Sequence, residues 1–151
     1  MTLIVGQPAP DFSLRNQHRD KVGLEDLTGT TSMIVFIPFA FTATCQSELC
    51  EIRDHIGLFN QTDTRVVAIT CNTLHANRVW AEQQGFEFDI LSDFWPHGEV
   101  ARAYEAFDEN YGYAKRTTYL LDSNSVVTAV IASDELGVAR QFSEYEEALG
   151  S

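Results

Sequence analysis

Of three cysteines, Cys45, Cys50 and Cys71, the first stands where local physics would make a sulfur reactive. The apolar run Met33-Ile-Val-Phe-Ile37 reads as a buried strand, and Pro38, with no N–H to give a sheet ladder, ends it. A helical pattern then starts near Ala43, with Leu49, Ile52, Ile56 and Phe59 recurring at spacings of three and four. Cys45, four residues before Leu49, shares that inward face and falls in the first turn. There the unpaired backbone N–H groups and the helix dipole favour an anion, which pushes a thiol toward the nucleophilic thiolate. Taken alone, a cysteine on a buried helix face is more often inert packing. Chemistry at Cys45 therefore needs partners from the rest of the chain.

The elements that would position it can be read in order. Phe12-Ser-Leu14 and Val22-Gly-Leu24 suggest two short strands around a polar turn, an N-terminal β-hairpin closed by Asp26-Leu-Thr-Gly-Thr30. Residues 65–70 form a second buried strand, running into Cys71. Residues 74–84 form a helix with Val79, Trp80 and Ala81 on its apolar side, stopped by Gly85. A short strand is expected at 86–91, a loop at 92–98, a short helix at 99–107 and a loop at 108–115. Strands at 117–121 and 126–131 are joined by Asp122-Ser-Asn-Ser125, a hairpin signal. The tail at 138–150 carries Phe142, Tyr145 and Leu149 at helical spacing. No linker, repeat or low-complexity segment interrupts the chain, so residues 1–151 read as one domain. Strand, helix, strand, helix, then a terminal hairpin and helix describe an α/β protein. Its expected form is a thioredoxin-like fold, a central mixed β-sheet flanked by helices.

Composition narrows the partners. The 151 residues are 44% apolar and 21% charged, an ordinary balance for a soluble globular domain. A net charge of −12 repels phosphate backbones and anionic lipid, which argues against nucleic acid and membrane surfaces as partners. The N-terminus has no basic segment leading an apolar core, and no stretch reaches membrane-span length, so a cytoplasmic protein is expected. An odd, small number of cysteines argues against a structural disulfide framework. His18, His55, His75 and His97 are scattered without ligand spacing, and there is no Cys-x-x-Cys pair, phosphate loop or dinucleotide fingerprint. No metal or bound cofactor is implied.

Pro38, Thr42 and Cys45 stand in the spacing Pro-x-x-x-Thr-x-x-Cys, and here the chain resembles the peroxiredoxins. The resemblance runs through Pro8-Ala-Pro-Asp-Phe12, Pro38-Phe-Ala-Phe-Thr-Ala-Thr-Cys-Gln-Ser-Glu-Leu49, Leu91-Ser-Asp-Phe-Trp-Pro-His-Gly98 and Arg116-Thr-Thr-Tyr-Leu-Leu-Asp122. The stretch from Ser92 to Gly98 looks most like the alkyl hydroperoxide reductase E subgroup. What the resemblance implies is a thiol-dependent peroxidase acting on hydrogen peroxide or organic hydroperoxides. The Cys45 thiolate attacks one peroxide oxygen, the other leaves, and the sulfur becomes a sulfenic acid. By the same resemblance Arg116 brings a fixed positive charge beside the sulfur, and Thr42 sets its hydroxyl on the peroxide. Pro38 shields the thiolate from water, and Glu48 orients the arginine. Singly, each has a plainer reading: Thr42 as a helix N-cap, Arg116 as a surface ion pair, Glu48 as a solvated first-turn carboxylate.

Cys50, five residues after Cys45, resembles the two-cysteine helix of peroxiredoxin Q, the bacterioferritin-comigratory type. The alkyl hydroperoxide reductase E subgroup does not usually carry a cysteine there. In an intact helix the two side chains stand roughly 140° apart, with Cα atoms about 8 to 9 Å apart. A disulfide tolerates ~7 Å, so bridging requires the first turns to unwind. Two readings stay open: Cys50 resolves the sulfenic acid, or it is a small residue on the helix flank. In the second, a thioredoxin, a glutaredoxin-like protein or a low-molecular-weight thiol attacks Cys45 directly. Cys71, at the end of a buried strand, reads as core. The resemblance further implies a homodimer, with Phe41, Phe94 and Trp95 at the contact. Two other functions compete. A thiol–disulfide oxidoreductase wants a Cys-x-x-Cys pair, and Thr42 occupies the first cysteine's place. A redox-switched binding protein would use helix unwinding as its signal.

Overall fold

The computed structural model describes residues 2–150. An antiparallel pair, β1 (Ser13–Arg15) and β2 (Lys21–Gly23), opens the chain and leads into a single turn, α1 (Leu24–Leu27). Then come β3 (Thr31–Phe36), α2 (Ala43–Asp54), α3 (Ile56–Gln61), β4 (Thr64–Thr70), α4 (Leu74–Gln84), β5 (Asp89–Ser92) and α5 (Glu99–Ala103). A small hairpin, β6 (Phe107–Asp108) with β7 (Tyr113–Ala114), precedes β8 (Thr117–Leu121), β9 (Val127–Ala132) and α6 (Phe142–Gly150). Seven strands share one sheet in the order β2-β1-β5-β4-β3-β8-β9. The β3–β4 and β4–β5 pairs are parallel, while β8 and β9 continue the sheet antiparallel. This is the mixed sheet with flanking helices that the element order predicts, including the N-terminal hairpin.

Because successive strand residues point to opposite faces, the sheet separates two cores. Ile34, Phe36, Val67, Ile69 and Tyr119 face a cluster with Tyr104 and Cys71. Met33, Val35, Ile37, Val66 and Ala68 face a second cluster holding Cys45, Leu49, Ile52 and Trp80. Leu49 and Ile52 are fully buried, each stabilising the docking of α2 by about 1.5–3 kcal/mol.

Several boundaries differ from the periodic reading, each for a local reason. The single helix expected through Phe59 breaks at His55, whose φ of −113° and ψ of 24° leave the helical region. The break turns Ile56 outward and reseats Phe59 in the core. On α4 the inward place next to Trp80 goes to Asn77, which accepts from Thr70 Oγ1 at 2.8 Å, and Val79 is exposed. Leu24 begins α1 rather than ending a strand. The strand expected at 86–91 starts at Asp89, since Phe86 and Phe88 stack on each other (ring centroids 5.4 Å apart) ahead of it. The helix expected at 99–107 stops at Ala103 because Glu105 takes a left-handed φ of 54°, which delivers Phe107 to the β6–β7 hairpin. In the tail, residues 138–141 are not helical, and α6 begins at Phe142. Among the described residues, no helix is long and apolar enough to cross a membrane.

Candidate active site

Beyond β3 the chain has to turn from the sheet into α2, and the site is built in that turn. Pro38 is buried there, just after the Ile37 N–H is used on Ile69 at 2.9 Å. The Ala40 N–H donates to Asn72 Oδ1 at 2.9 Å. Phe41 holds a left-handed φ of 69°, a strain of about 1–3 kcal/mol for a residue with a Cβ. Thr42 follows in extended conformation as the N-cap residue of α2. Its side chain makes no capping bond; the hydroxyl donates to Phe39 O at 3.1 Å inside the turn. The plain capping role for Thr42 is therefore not what this hydroxyl does. Among the described residues, the first-turn N–H groups of Ala43, Thr44 and Cys45 have no protein acceptor.

Cys45 is the third residue of α2 and is fully buried. One turn on, the Glu48 side chain is 2% exposed and sits between two guanidinium groups. Arg116 Nη1 donates to Oε1 at 2.5 Å, and Arg116 Nε donates to Leu136 O at 2.6 Å. Arg140 donates to the same carboxylate three times: from its backbone N and from Nε to Oε2, both at 2.8 Å, and from Nη2 to Oε1 at 2.9 Å. Arg140 Nη1 adds Phe36 O at 2.9 Å and Thr118 Oγ1 at 3.1 Å. Neither arginine is a surface group, and Glu48 is not a solvated carboxylate.

Burial alone would raise the Glu48 pKa. The Arg140 hydrogen bonds and charge, with the charge of Arg116, outweigh it and hold the carboxyl below its ordinary value of 4.5. For Arg140, burial opposes the charged form, and the hydrogen bonds and charge of Glu48 work against that penalty, so the guanidinium stays protonated. Arg140 and Arg116 thus meet on Glu48, one turn after Cys45 in α2. Two cations stand against one carboxylate, and all three side chains are buried.

Sequence reading names Pro38, Thr42, Cys45, Glu48 and Arg116, and misses Arg140. A signal existed: Arg140 is the only Lys or Arg after Arg116, in a tail otherwise acidic and apolar. Cys50 lies in the same unbroken helix as Cys45, and both thiols are free. Its Sγ points to α4, donating to Gln84 Oε1 at 3.7 Å, and Arg53 Nη1 ties the same residue through Gln84 O at 2.5 Å. Cys71 belongs to the core across the sheet. Burial, with the Asp93 charge beside it, pushes its thiol up to about 12. Among the described residues, no group of three His, Cys, Asp or Glu could hold a metal.

Residues 5–130 match the model of the AhpC/TSA family. The chain is 43% identical to alkyl hydroperoxide reductase E of Mycobacterium tuberculosis over 126 residues, spanning 83% of this chain and 82% of the relative. It is 27% identical to peroxiredoxin Bcp of Bacillus subtilis over 128 residues, 81% of this chain and 80% of that one. Among solved structures, peroxidoxin BcpB of Mycobacterium tuberculosis superposes with a TM-score of 0.85 at 26% identity, covering 99% of this chain and 95% of the other. AhpC of Enterococcus faecalis shares the fold, with a TM-score of 0.88 at 24% identity over 99% and 92% of the two chains. With the match running from the N-terminal strands into β9 and the same fold recurring in both structures, the chain belongs to the AhpC/TSA family.

Proposed function

We propose that the chain is a thiol-dependent peroxidase, reducing hydrogen peroxide and organic hydroperoxides at Cys45. The observation that carries this reading is the pair of buried guanidinium groups, Arg116 and Arg140, held on Glu48 one turn after Cys45 in α2, the helix that begins at Ala43. Peroxide attack needs the thiolate form of Cys45. The thiolate attacks one peroxide oxygen; the S–O bond forms as the O–O bond breaks, and the second oxygen leaves as hydroxide or alkoxide and takes a proton. Charge develops on both oxygens, and the first-turn N–H groups of α2 are free donors for it, while the Thr42 hydroxyl must leave Phe39 O to serve as one. Pro38 walls the pocket without offering an N–H of its own. The related alkyl hydroperoxide reductase and peroxiredoxin names support a hydroperoxide as substrate.

The resulting sulfenic acid condenses with a thiol, releasing water, and a second thiol frees Cys45 as a disulfide departs. Cys50 is the candidate resolving thiol within the chain. To reach it, α2 must unwind, releasing the Trp80 Nε1 bond to Gln46 Oε1 (3.2 Å) and the Cys50 contact with Gln84. A thioredoxin, a glutaredoxin-like protein or a low-molecular-weight thiol supplies the electrons. No bound cofactor enters this cycle. The working form is a homodimer, for which the exposed Phe41, Phe94 and Trp95 (80% exposed) offer an apolar contact. Three unbridged cysteines fit a reducing, cytoplasmic setting.

Replacing Cys45 with Ser abolishes peroxide consumption, and Cys50→Ser leaves the first oxidation of Cys45 intact. Full turnover by the Cys45→Ser protein would overturn the assignment. Intact mass after one equivalent of peroxide reads the fate of the sulfur. Loss of two hydrogens is the internal Cys45–Cys50 bridge; gain of one oxygen is a sulfenic acid awaiting an outside thiol.

A further inference from the structure

The hydrogen bonds that hold Arg140 continue past Glu48 into the C-terminal helix. We propose that Tyr145, on α6, and Thr118, on β8, are positioning residues that fix the Arg140 guanidinium against Glu48, the carboxylate one turn after Cys45. The proposal rests on the peroxidase reading above and assigns the last helix a part in it.

Thr118 Oγ1 accepts from Arg140 Nη1 at 3.1 Å and lies 3.0 Å from Tyr145 Oη. Thr118 is fully buried and Tyr145 is 3% exposed, so neither hydroxyl is exchanging with water. A threonine oxygen that takes a guanidinium hydrogen still has a hydrogen of its own and a second lone pair to place. Whichever way the proton lies between them, the phenol fixes the rotation of the Thr118 hydroxyl. Thr118 is also β-branched and in a strand, which leaves its χ1 little freedom. Arg140 is thereby held at both ends of its fork: Nε and Nη2 on Glu48, Nη1 on Phe36 O and Thr118.

Tyr145 is itself anchored. Its ring meets Phe142 edge-on at 5.7 Å, and Phe142 lies against Phe59 at 6.2 Å and against His55, where α2 ends, at 4.5 Å. A tyrosine needed only for packing at this helix–sheet contact would serve as well as phenylalanine. Its hydroxyl is instead buried in an apolar cluster, and the hydrogen bond that compensates it is to Thr118. Burial raises the phenol pKa, keeping it neutral, and Arg140 and Glu48 are among the charges it feels.

The test compares Tyr145→Phe, Thr118→Val and Thr118→Ser in the full chain. Two readouts are taken: the rate of Cys45 oxidation in single turnover, and the pH profile of Cys45 alkylation by iodoacetamide, read by peptide mass. Losing one neutral hydrogen bond behind the guanidinium slows oxidation by about fivefold. Tyr145→Phe and Thr118→Val also move the alkylation profile to higher pH, whereas Thr118→Ser restores both readouts toward wild type. A folded Tyr145→Phe protein with wild-type rate and profile overturns the proposal. If Tyr145→Phe does not fold, the Thr118 pair decides: equal behaviour of Val and Ser overturns it, and rescue by Ser alone supports it. A wild-type protein that consumes no peroxide defeats the peroxidase reading, and the alkylation profile still decides for or against Tyr145.

Discussion

Arg140 meets Glu48 with its backbone and its side chain together, placing N and Nε on one carboxylate oxygen and Nη2 on the other. The carboxylate therefore fixes the path of the chain into α6 as well as a charge. Glu48→Gln keeps the shape but leaves two buried guanidinium groups facing an amide. Removing one partner of a buried ion pair costs about 3–5 kcal/mol, to be measured by urea unfolding. The rate of Cys45 oxidation falls with it. A loss of stability below about 1 kcal/mol would show that the cations are balanced elsewhere.

Acid should unlock the same group. The Glu48 carboxyl titrates below its ordinary 4.5 in the folded protein, so the unfolded chain takes up the proton first. Its contribution to stability is complete above about pH 4.5 and is lost as pH falls through the lower, folded value. Melting temperature plotted against pH should drop more steeply there for wild type than for Glu48→Gln. Parallel curves would contradict the assignment.

Cys71 should be silent. With its thiol pushed up to about 12 and its side chain in the core away from Cys45, almost none is thiolate at neutral pH. Thiol reagents at pH 7 modify Cys71 only after denaturation, which peptide mass will show. Peroxide oxidation at Cys71 in the folded protein would place a second reactive sulfur in the chain.

Gly98 is required where it stands. Its φ is 71°, and a Cβ would meet the Phe107 ring at 2.2 Å. The ring is itself held by the Arg102 guanidinium, 4.2 Å from its centroid. Gly98→Ala combines overpacking with a left-handed alanine and should cost about 2–4 kcal/mol. A thermal melt unchanged from wild type would show that Phe107 yields freely.

What the chain reveals as plain text follows from the range of its interactions. Met33 to Ile37, Pro38 and the helix carrying Cys45 are legible because periodicity and the proline act within a few residues. Pro38, Thr42 and Cys45 are close enough in sequence to form a recognisable spacing, and Arg116 abuts a strand. Arg140 is marked in sequence only as a lone basic residue in its tail, because its partner Glu48 is 92 residues away and no local pattern marks an arginine that closes a distant ion pair. Val79 and Ile56 fit the helical period yet point outward. A buried Asn77–Thr70 bond on α4 and the non-helical His55 after α2 decide those faces, and both depend on tertiary contacts. The hydroxyl of Thr42 is a similar case, since a left-handed Phe41 sets its direction and sequence alone does not announce one.

The 92 residues that separate Glu48 from Arg140 set an order of events during translation. The carboxylate at 48 emerges from the ribosome long before the Arg140 guanidinium that grips it has been made. Until Arg140 is synthesised and docks, the nascent chain carries Glu48 without this partner.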